Sequence, residues 1–486
     1  MLAKNLWAVT ATWIALSSMP AFAGDREEAL IEKAIAAYGG EALLNLQTLR
    51  VNDTYKSFRR GQSRSPSETD QVTYVTSTTI DYGKRRKSAQ SIGGVYVQGL
   101  YVQHSFYDGA TGYQLHHSAK TAAERPRLGF SRADRGLSWR LDIALVKLLS
   151  EARADSSYKG TGVHRGKPQQ LISFHPEGYP EFTLHIDEDT GLVSKMTRPD
   201  AENGGQYVYV FSDYQKQDGF TFAADTYVMR RGKPDSLTAT RTLDFNIDID
   251  AAYAVPATYG TPPKTLDFAE MSVQKLADNV YHVGQGGAFS IFIDAGDYLI
   301  ASGGYHGLKD RLDAVQASLG TTKPLRYQIV THHHDDHIGG LREVADLGVT
   351  FIVAEDHVEA VRAAAHTELP DERFLIAGEN NRYANGLVQV VDIASWHADH
   401  NLVTYIPGAK IVFSADHFFT FKETGAPDPA EMYAQFRTAL EGYGLDTQHF
   451  AAAHSGRILS REDLIHASTG PFKELACPEG WDFCQN

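Results

Sequence analysis

The sequence predicts an α+β protein: a mostly antiparallel β domain, then a domain in which strands and helices alternate. Three observations lead there. From Asp25 to about Thr265 the chain carries runs of Val, Thr, Tyr and Phe that end in Gly, Asp or Asn turns. After Pro263, short apolar runs alternate with helical periodicity. Between the two, Pro256 to Pro263 lapses into Pro, Gly and Thr, which marks a boundary. A chain of 486 residues is long enough for two to three domains.

The first element is an address. Lys4 precedes an apolar run from Leu6 to Leu16, and Ala21-Phe22-Ala23 has the form of a signal-peptidase site. The run is short of the roughly 20 residues that span a bilayer, although an uncleaved anchor is the competing reading. Cleavage places the protein in the periplasm or outside the cell, with no integral span. A helix follows, with Ala29, Leu30, Ile31, Ala34, Ile35 and Tyr38 at helical spacing and Gly39-Gly40 as its stop; Glu41 to Leu46 forms a second short turn. Strands are expected over Val72–Ile80, Val95–Val102, Phe182–Ile186 and Tyr207–Tyr214, and a helix around Leu137 to Leu149. Asp81-Tyr82-Gly83, Tyr107-Asp108-Gly109 and Asp189-Thr190-Gly191 supply hairpin turns. In the second half, strands are expected at Val280–Val283, Ser290–Ile293, Tyr298–Ala301, Leu325–Val330 and Thr350–Val353. Helices are expected at Leu308–Leu319, Leu341–Leu347 and His357–Ala365.

Composition excludes several classes. With 42% hydrophobic and 22% charged residues the chain is neither disordered nor fibrous, nor a multi-span membrane protein. A formal charge of −14 removes the cationic surplus that binds nucleic acid or an acidic membrane surface. The two cysteines, Cys477 and Cys484, can close a small loop in an oxidising compartment; free thiols on a frayed tail, or a metal clip, are the competing readings.

The strongest signal is Thr331-His332-His333-His334-Asp335-Asp336-His337-Ile338-Gly339-Gly340, placed between a buried strand and a helix. Four imidazoles and two carboxylates in six positions repel or desolvate one another unless a cation holds them, and N/O donors of this kind suit zinc. His332 and His334 can point the same way from an extended loop, while Asp336 and His337 diverge toward a second metal position. A solvated polar loop is the bland alternative.

Through His332, His334, Asp336 and His337 the chain resembles the metallo-β-lactamase-fold superfamily, whose signature is His-x-His-x-Asp-His; the resemblance runs from about Asn279 to Ile465. It implies an αβ/βα sandwich with a metal site at one edge, preceded here by the antiparallel β domain. It also implies three further ligands. His397 fits the first, with His400 as its competitor; Asp416 ends the strand Ile411–Ala415 and fits a bridging aspartate; His454 follows Phe450-Ala-Ala-Ala. A structural strand-end aspartate is the alternative for Asp416. One metal is then assigned to His332, His334 and His397, the other to Asp336, His337 and His454, with Asp416 between them. No cysteine lies near these loops, which excludes a cysteine-ligated zinc site. The family's usual Leu-Ile-Asp-Thr-Gly stretch reads Leu299-Ile300-Ala301-Ser302-Gly303 here, so the aspartate that braces the metal loop is an alanine, with Ser302 as a substitute.

The N-terminal region resembles the periplasmic outer-membrane lipoprotein-sorting family, on Ile35-Ala36-Ala37-Tyr38-Gly39-Gly40, Leu46 to Val51 and its Tyr-Asp-Gly and Phe-Ser-Asp-Tyr turns. That resemblance implies a half-open curved sheet over a helix; an unrelated β domain is the alternative. The organisation expected is a signal peptide over 1–23, a β-rich domain over 24–265, a metallo-β-lactamase-like domain over 266–470 and a tail over 471–486.

The resemblance implies an exported hydrolase with two zinc ions, iron or manganese being the alternatives. It would use a metal-activated hydroxide on a small-molecule ester, lactone, thioester, amide or β-lactam, the substrate being apolar if the β domain presents it. Asp336 orients the attacking water or takes its proton. His333, His400 and His417 flank ligands and are candidates for substrate contact; His306, Asn401, Tyr405 and Asp399 are further neighbours. Neither Gly-x-Ser-x-Gly nor a P-loop lysine motif occurs. The competing functions are an iron-dependent sulfur-oxidising enzyme of the same fold, and a non-catalytic protein that binds an apolar ligand.

Overall fold

The structure is a computed structural model that describes residues 23–96, 99–201, 204–472 and 477–484. The segment expected to be a signal peptide, 1–23, lies outside the described residues except for Ala23. No helix among the described residues is long and apolar enough to cross a membrane. The N-terminal half begins with α1 (Ala23–Ala37), α2 (Glu41–Leu44), β1 (Thr48–Phe58), β2 (Gln71–Asp81), β3 (Arg86–Tyr96), β4 (Gly99–Tyr107), β5 (Gly112–His116) and β6 (Thr121–Glu124). It continues with α3 (Asp142–Glu151), β7 (Ser156–His164), β8 (Lys167–Phe174), β9 (Phe182–Asp187), β10 (Val193–Pro199), β11 (Gln206–Gln217), β12 (Phe220–Arg230) and β13 (Lys233–Phe245).

The chain forms two compact units. One takes the segment up to Asn45 and Leu141–Ala223; the other takes Leu46–Arg140 and everything from Ala224 on. In the first, β7 to β11 form an antiparallel meander, and α1 buries Leu30, Ile31, Ala34 and Ile35. Tyr38 is fully buried, and its hydroxyl donates to Asp142 Oδ2 at 2.7 Å while accepting from the Val193 amide at 3.1 Å. A buried carboxylate is tolerable only when so bonded, and Asp142 also accepts from the Ile143 and Ala223 amides.

In the second unit, the N-terminal strands run in the antiparallel order β6-β5-β4-β3-β2-β1-β13-β12. The expected strand over Val95–Val102 is instead the end of β3 and the start of β4, which pair with each other. Apolar β-formers stand on both sides of Gly99, so side-chain type favours one continuous strand although that glycine marks the reversal. The C-terminal half adds β14 (Ser272–Ala277), β15 (Val280–Gln285), β16 (Ala288–Asp294), β17 (Leu299–Ser302), α4 (Leu308–Leu319), β18 (Leu325–Ile329), α5 (Asp335–Ile338), β19 (Thr350–Val353), α6 (Val358–Ala365) and β20 (Phe374–Ile376). These seven strands form one sheet in sequential order, parallel from β17 onward. A second sheet follows: β21 (Asn380–Tyr383), β22 (Val388–Asp392), β23 (Leu402–Ile406), β24 (Ile411–Ser414), β25 (His449–Ala452) and β26 (Leu459–Ser460), with α7 (Glu431–Gly442) and α8 (Arg461–Ala467). Leu341–Leu347 is two 3₁₀ turns rather than the expected helix. The segment lies between Gly339-Gly340 and Gly348, and Gly348, at φ +79, ends the last turn.

Alternation in the strands decides the layering. Ile291, Ile293, Ile300, Ile329 and Ile352 face Val388, Val390, Leu402, Ile411 and Phe413 of the other sheet. Their neighbours Phe292, Ala301, Phe351 and Val353 face the other way, onto Leu308, Leu312 and Val315 of α4 and Val361 of α6. On the far side Val391, Val403, Val412 and Phe450 pack against Tyr433, Phe436 and Leu440 of α7 and Leu464 of α8. The order is helix, sheet, sheet, helix, and both sheets are covered on both faces, which is why their strands read as continuous apolar runs. Each large side chain so buried contributes about 1.5–3 kcal/mol.

His282 of β15 is fully buried, stacked on Phe289 with ring centroids 4.9 Å apart, and its Nε2–H donates to the Ala452 carbonyl at 3.0 Å. Burial pushes the imidazole down from 6.5 to about 4, against the opposing effect of that hydrogen bond. The unfolded chain therefore binds this proton first, and the stability present above about pH 6.5 is lost as pH falls through about 4. His282→Gln is expected to flatten the acid limb of the stability profile by ~3 kcal/mol. Urea unfolding of wild type and variant, both metal-free, between pH 7.5 and 4.5 measures it; parallel profiles would mean that His282 titrates normally.

Candidate metal centre

Four loops meet at one edge of the sandwich, and each leaves the C-terminal end of a strand. His332 to His337 follow β18, His397 follows β22, Asp416 follows β24 and His454 follows β25. The loops are tied to the sheets by backbone bonds: the Leu402 amide donates to Thr331 O at 2.7 Å, and the Ala453 amide to Ser414 O at 3.1 Å. All seven sequence-predicted residues come together. Their donor atoms fall into three groups within 4.8 Å: His332, His334 and His397; His332, His337 and Asp416; and Asp336, His337 and His454.

Asp416 is the hub. Its Oδ2 lies 3.1 Å from His332 Nε2, 3.0 Å from His337 Nε2 and 3.0 Å from His397 Nε2, and Oδ1 meets His454 Nε2. Yet Asp416 Oδ2 and the facing nitrogens of His332, His337 and His397 satisfy no hydrogen-bond geometry. Buried polar atoms are rarely left so. Nitrogen and carboxylate donors converging without hydrogen bonds are the arrangement a divalent cation requires, and the donor set fits zinc. Burial, then His337, holds His332 well below its usual range. Burial and then His397 push His334 down to about 3, so both stay neutral, as ligands must be. Burial alone would raise Asp416, but the electrostatic pull of His337 and the close approach of the His332 and His397 imidazoles outweigh it and hold the carboxylate ionised.

The neighbours named from sequence take various positions. His400 turns to Asp392, with Nδ1 2.5 Å from Oδ2, while His397 joins the converging group. His417 is buried and faces the Ile393 carbonyl at 3.2 Å. His333 is buried against His334 and His357, with ring centroids 4.9 and 4.8 Å away. Tyr405 donates to Asp446 O, and His306 faces Glu343. Asn401 is fully buried, with neither amide atom of its side chain hydrogen-bonded. Ala301 packs in the apolar layer under α4, and Ser302 Oγ accepts from Thr404 Oγ1 at 3.0 Å, so the serine bonds across the sheets and not to a ligand.

Three side chains or groups that touch the ligands carry no motif in the sequence. Tyr305 donates its hydroxyl to Asp336 Oδ2 at 2.8 Å and lies 2.9 Å from His454 Nδ1. Burial, then Asp336 and Asp416, raises the phenol far above its usual range, so it stays a donor. Gln62 Nε2 donates to Asp336 Oδ1 at 2.8 Å, and His334 Nε2–H donates to the Ser63 carbonyl at 2.9 Å. Tyr305 follows the Gly303-Gly304 pair beside a named stretch, which is a usable signal. Gln62 and Ser63 sit in a polar loop remote in sequence, and nothing there distinguishes them.

No family model matches the chain. Among solved structures, the chain is similar to DIM-1 metallo-beta-lactamase, at 16% identity and a TM-score of 0.34 over 41% of this chain and 95% of that one. It is similar to a metallo-beta-lactamase from Pontibacter korlensis, at 19% identity and 0.33 over 41% and 97%. It is also similar to the metallo-beta-lactamase FIM-1 from Pseudomonas aeruginosa in its mono-zinc form, at 17% and 0.32 over 42% and 95%. Two sheets face to face between helical layers, with the His-x-His-x-Asp-His loop and three later donors at one edge, make the region from β14 to α8 an αβ/βα sandwich of the kind the motif's resemblance implies.

Proposed function

We propose that the protein is an exported metal-dependent hydrolase that holds two zinc ions and cleaves an ester, lactone, thioester or amide bond, β-lactams included, in a small-molecule substrate. The observation that carries this reading is the convergence of His332, His334, Asp336, His337, His397, Asp416 and His454, with unsatisfied donor atoms on His332, His334, His337, His397 and Asp416. His332, His334 and His397 would hold one ion, Asp336, His337 and His454 the other, with Asp416 between them. Zinc bound there supplies Lewis acidity and a water that ionises near neutral pH. The chain's own part is to orient and to move protons. Asp336, held at Oδ1 by Gln62 and at Oδ2 by Tyr305, is ionised and placed to accept a proton from the attacking water. The Tyr305 hydroxyl stays protonated, so it keeps donating to Asp336 Oδ2 and holds that carboxylate in place.

The test is metal content by mass spectrometry on untagged protein, then a screen with lactones, thioesters, esters and β-lactams. About two zinc ions per chain, and turnover that chelation abolishes and zinc restores, are expected. Iron in their place would move the search to oxidative sulfur chemistry. A folded protein that takes up no metal would sink the catalytic reading.

A further inference from the structure

We propose that the loop joining β1 to β2, residues 59–70, is a positioning element of the metal centre, acting through the Gln62 amide and the Ser63 carbonyl. The inference rests on the metal-centre reading above and goes beyond it, because it assigns part of the centre to the N-terminal sheet.

The loop is built to hold a shape. Most hairpin connections are 2–5 residues, and a loop of this length is costly unless braced. Here Ser63, 2% exposed, bridges the mouth of the loop: its hydroxyl donates to Arg59 O at 2.6 Å and accepts from the Asp70 amide at 3.0 Å. The Arg59 amide donates to Asp70 O at 2.8 Å, and the Arg64 amide to Asp70 Oδ2 at 2.9 Å. Gly61, at φ +68, turns its carbonyl onto the Asp335 amide at 2.9 Å. Arg64 reaches the loop of His397, where its carbonyl accepts from the Asp399 amide at 2.9 Å and its guanidinium pairs with Asp399 at 2.5 Å.

Two of these contacts fall on metal-ligand side chains and have chemical consequences. The Ser63 carbonyl takes the Nε2 proton of His334, which leaves Nδ1 as the lone pair; Nδ1 is the nitrogen that has no hydrogen-bond partner. Gln62 binds Asp336 Oδ1 while Tyr305 binds Oδ2, so the carboxylate plane is set from both sides. A neutral amide orients the carboxylate without the large loss of basicity that a lysine or arginine would impose. If the loop served only to attach the sheet, the exposed Arg64–Asp399 pair and backbone bonds would suffice, and nothing would require an amide on Asp336.

The experiment compares wild type with Gln62→Met, which keeps length and removes the donor, and Arg64→Met, which removes the attachment pair only. Zinc affinity is read by competition with a chromophoric chelator, the centre's symmetry by the visible spectrum of the cobalt-substituted protein, and folding by melting of the metal-free chain. For Gln62→Met the weaker zinc site is expected to lose at least about tenfold in affinity, with a shifted cobalt spectrum and an unchanged metal-free melt. Arg64→Met is expected to keep wild-type zinc affinity and spectrum. Wild-type affinity and spectrum in Gln62→Met would overturn the proposal, as would an affinity loss that merely tracks a lowered metal-free melt. A wild-type protein that binds no zinc is a separate result, read before any variant, and it overturns both the metal-centre reading and this one.

Discussion

Asp416→Ala is expected to lower bound zinc from about two ions per chain to one or fewer, and to cut hydrolysis by at least about 100-fold. Its carboxylate contacts four imidazoles, those of His332, His337, His397 and His454, and no other described side chain does so. Its charge also holds His337 above its ordinary range, Asp416 outweighing the effect of burial. Without it, the imidazoles lose the anion between them, and on the proposed two-ion reading both cations would lose a shared donor. Asp416→Asn keeps the volume and one oxygen, so an intermediate affinity is expected. Metal analysis beside far-ultraviolet circular dichroism checks both variants. A folded Asp416→Ala protein with full metal content would remove Asp416 from the ligand set.

Arg311→Met is expected to destabilise the fold by ~3–5 kcal/mol and to disturb the centre as well. Arg311 of α4 is 2% exposed, the largest of the fully buried side chains. Its guanidinium donates to Ser290 Oγ at 3.0 Å, His306 O at 2.9 Å and Tyr305 O at 2.6 Å. Ser290 in turn donates to Gly303 O at 2.8 Å. The cation thus ties down the 305–306 backbone, and Tyr305 carries the phenol that bonds Asp336. Burial pushes the guanidinium down to about 10, against Glu343 and Asp310, so it remains charged at neutral pH. Methionine fills most of the volume and leaves two buried carbonyls without a donor. Arg311→Lys restores a charge but not the planar fork, so only part of the loss should return. Denaturant unfolding gives the stability term, and chelator competition gives the effect on zinc affinity. A loss below about 1 kcal/mol would mean that water replaces the guanidinium bonds.

Much of the metal centre was legible before any fold was known. His332 to His337 are dense enough in donors to stand out, and the family resemblance pointed to His397 before the strand Leu402–Tyr405, Asp416 after Ile411–Ala415 and His454 after Phe450-Ala-Ala-Ala. His397, chosen over His400 from the sequence, joins the converging group, while His400 turns to Asp392. The strand break inside Val95–Val102 and the 3₁₀ turns over Leu341–Leu347 were missed for a shared reason. In each, side-chain type favours continuation while backbone spacing and the surrounding glycines interrupt it. Cys477 and Cys484, left open between disulfide, free thiols and metal clip, are joined as a disulfide.

By itself the sequence determined the α+β class and the donor-dense run from His332 to His337, while the sandwich layering and the further donors His397, Asp416 and His454 are what the family resemblance implied. The first two follow from local chemistry: which periodicity makes a strand or a helix, and which atoms can bind a cation. Only the tertiary structure decided that Leu46–Arg140 packs in the same compact unit as the ligand loops, and that Gln62, Ser63 and Tyr305 hold Asp336 and His334. A hydrogen bond between residues 274 positions apart leaves no trace in either neighbourhood, because an amide in a polar loop has the same local chemistry whether it meets water or a ligand.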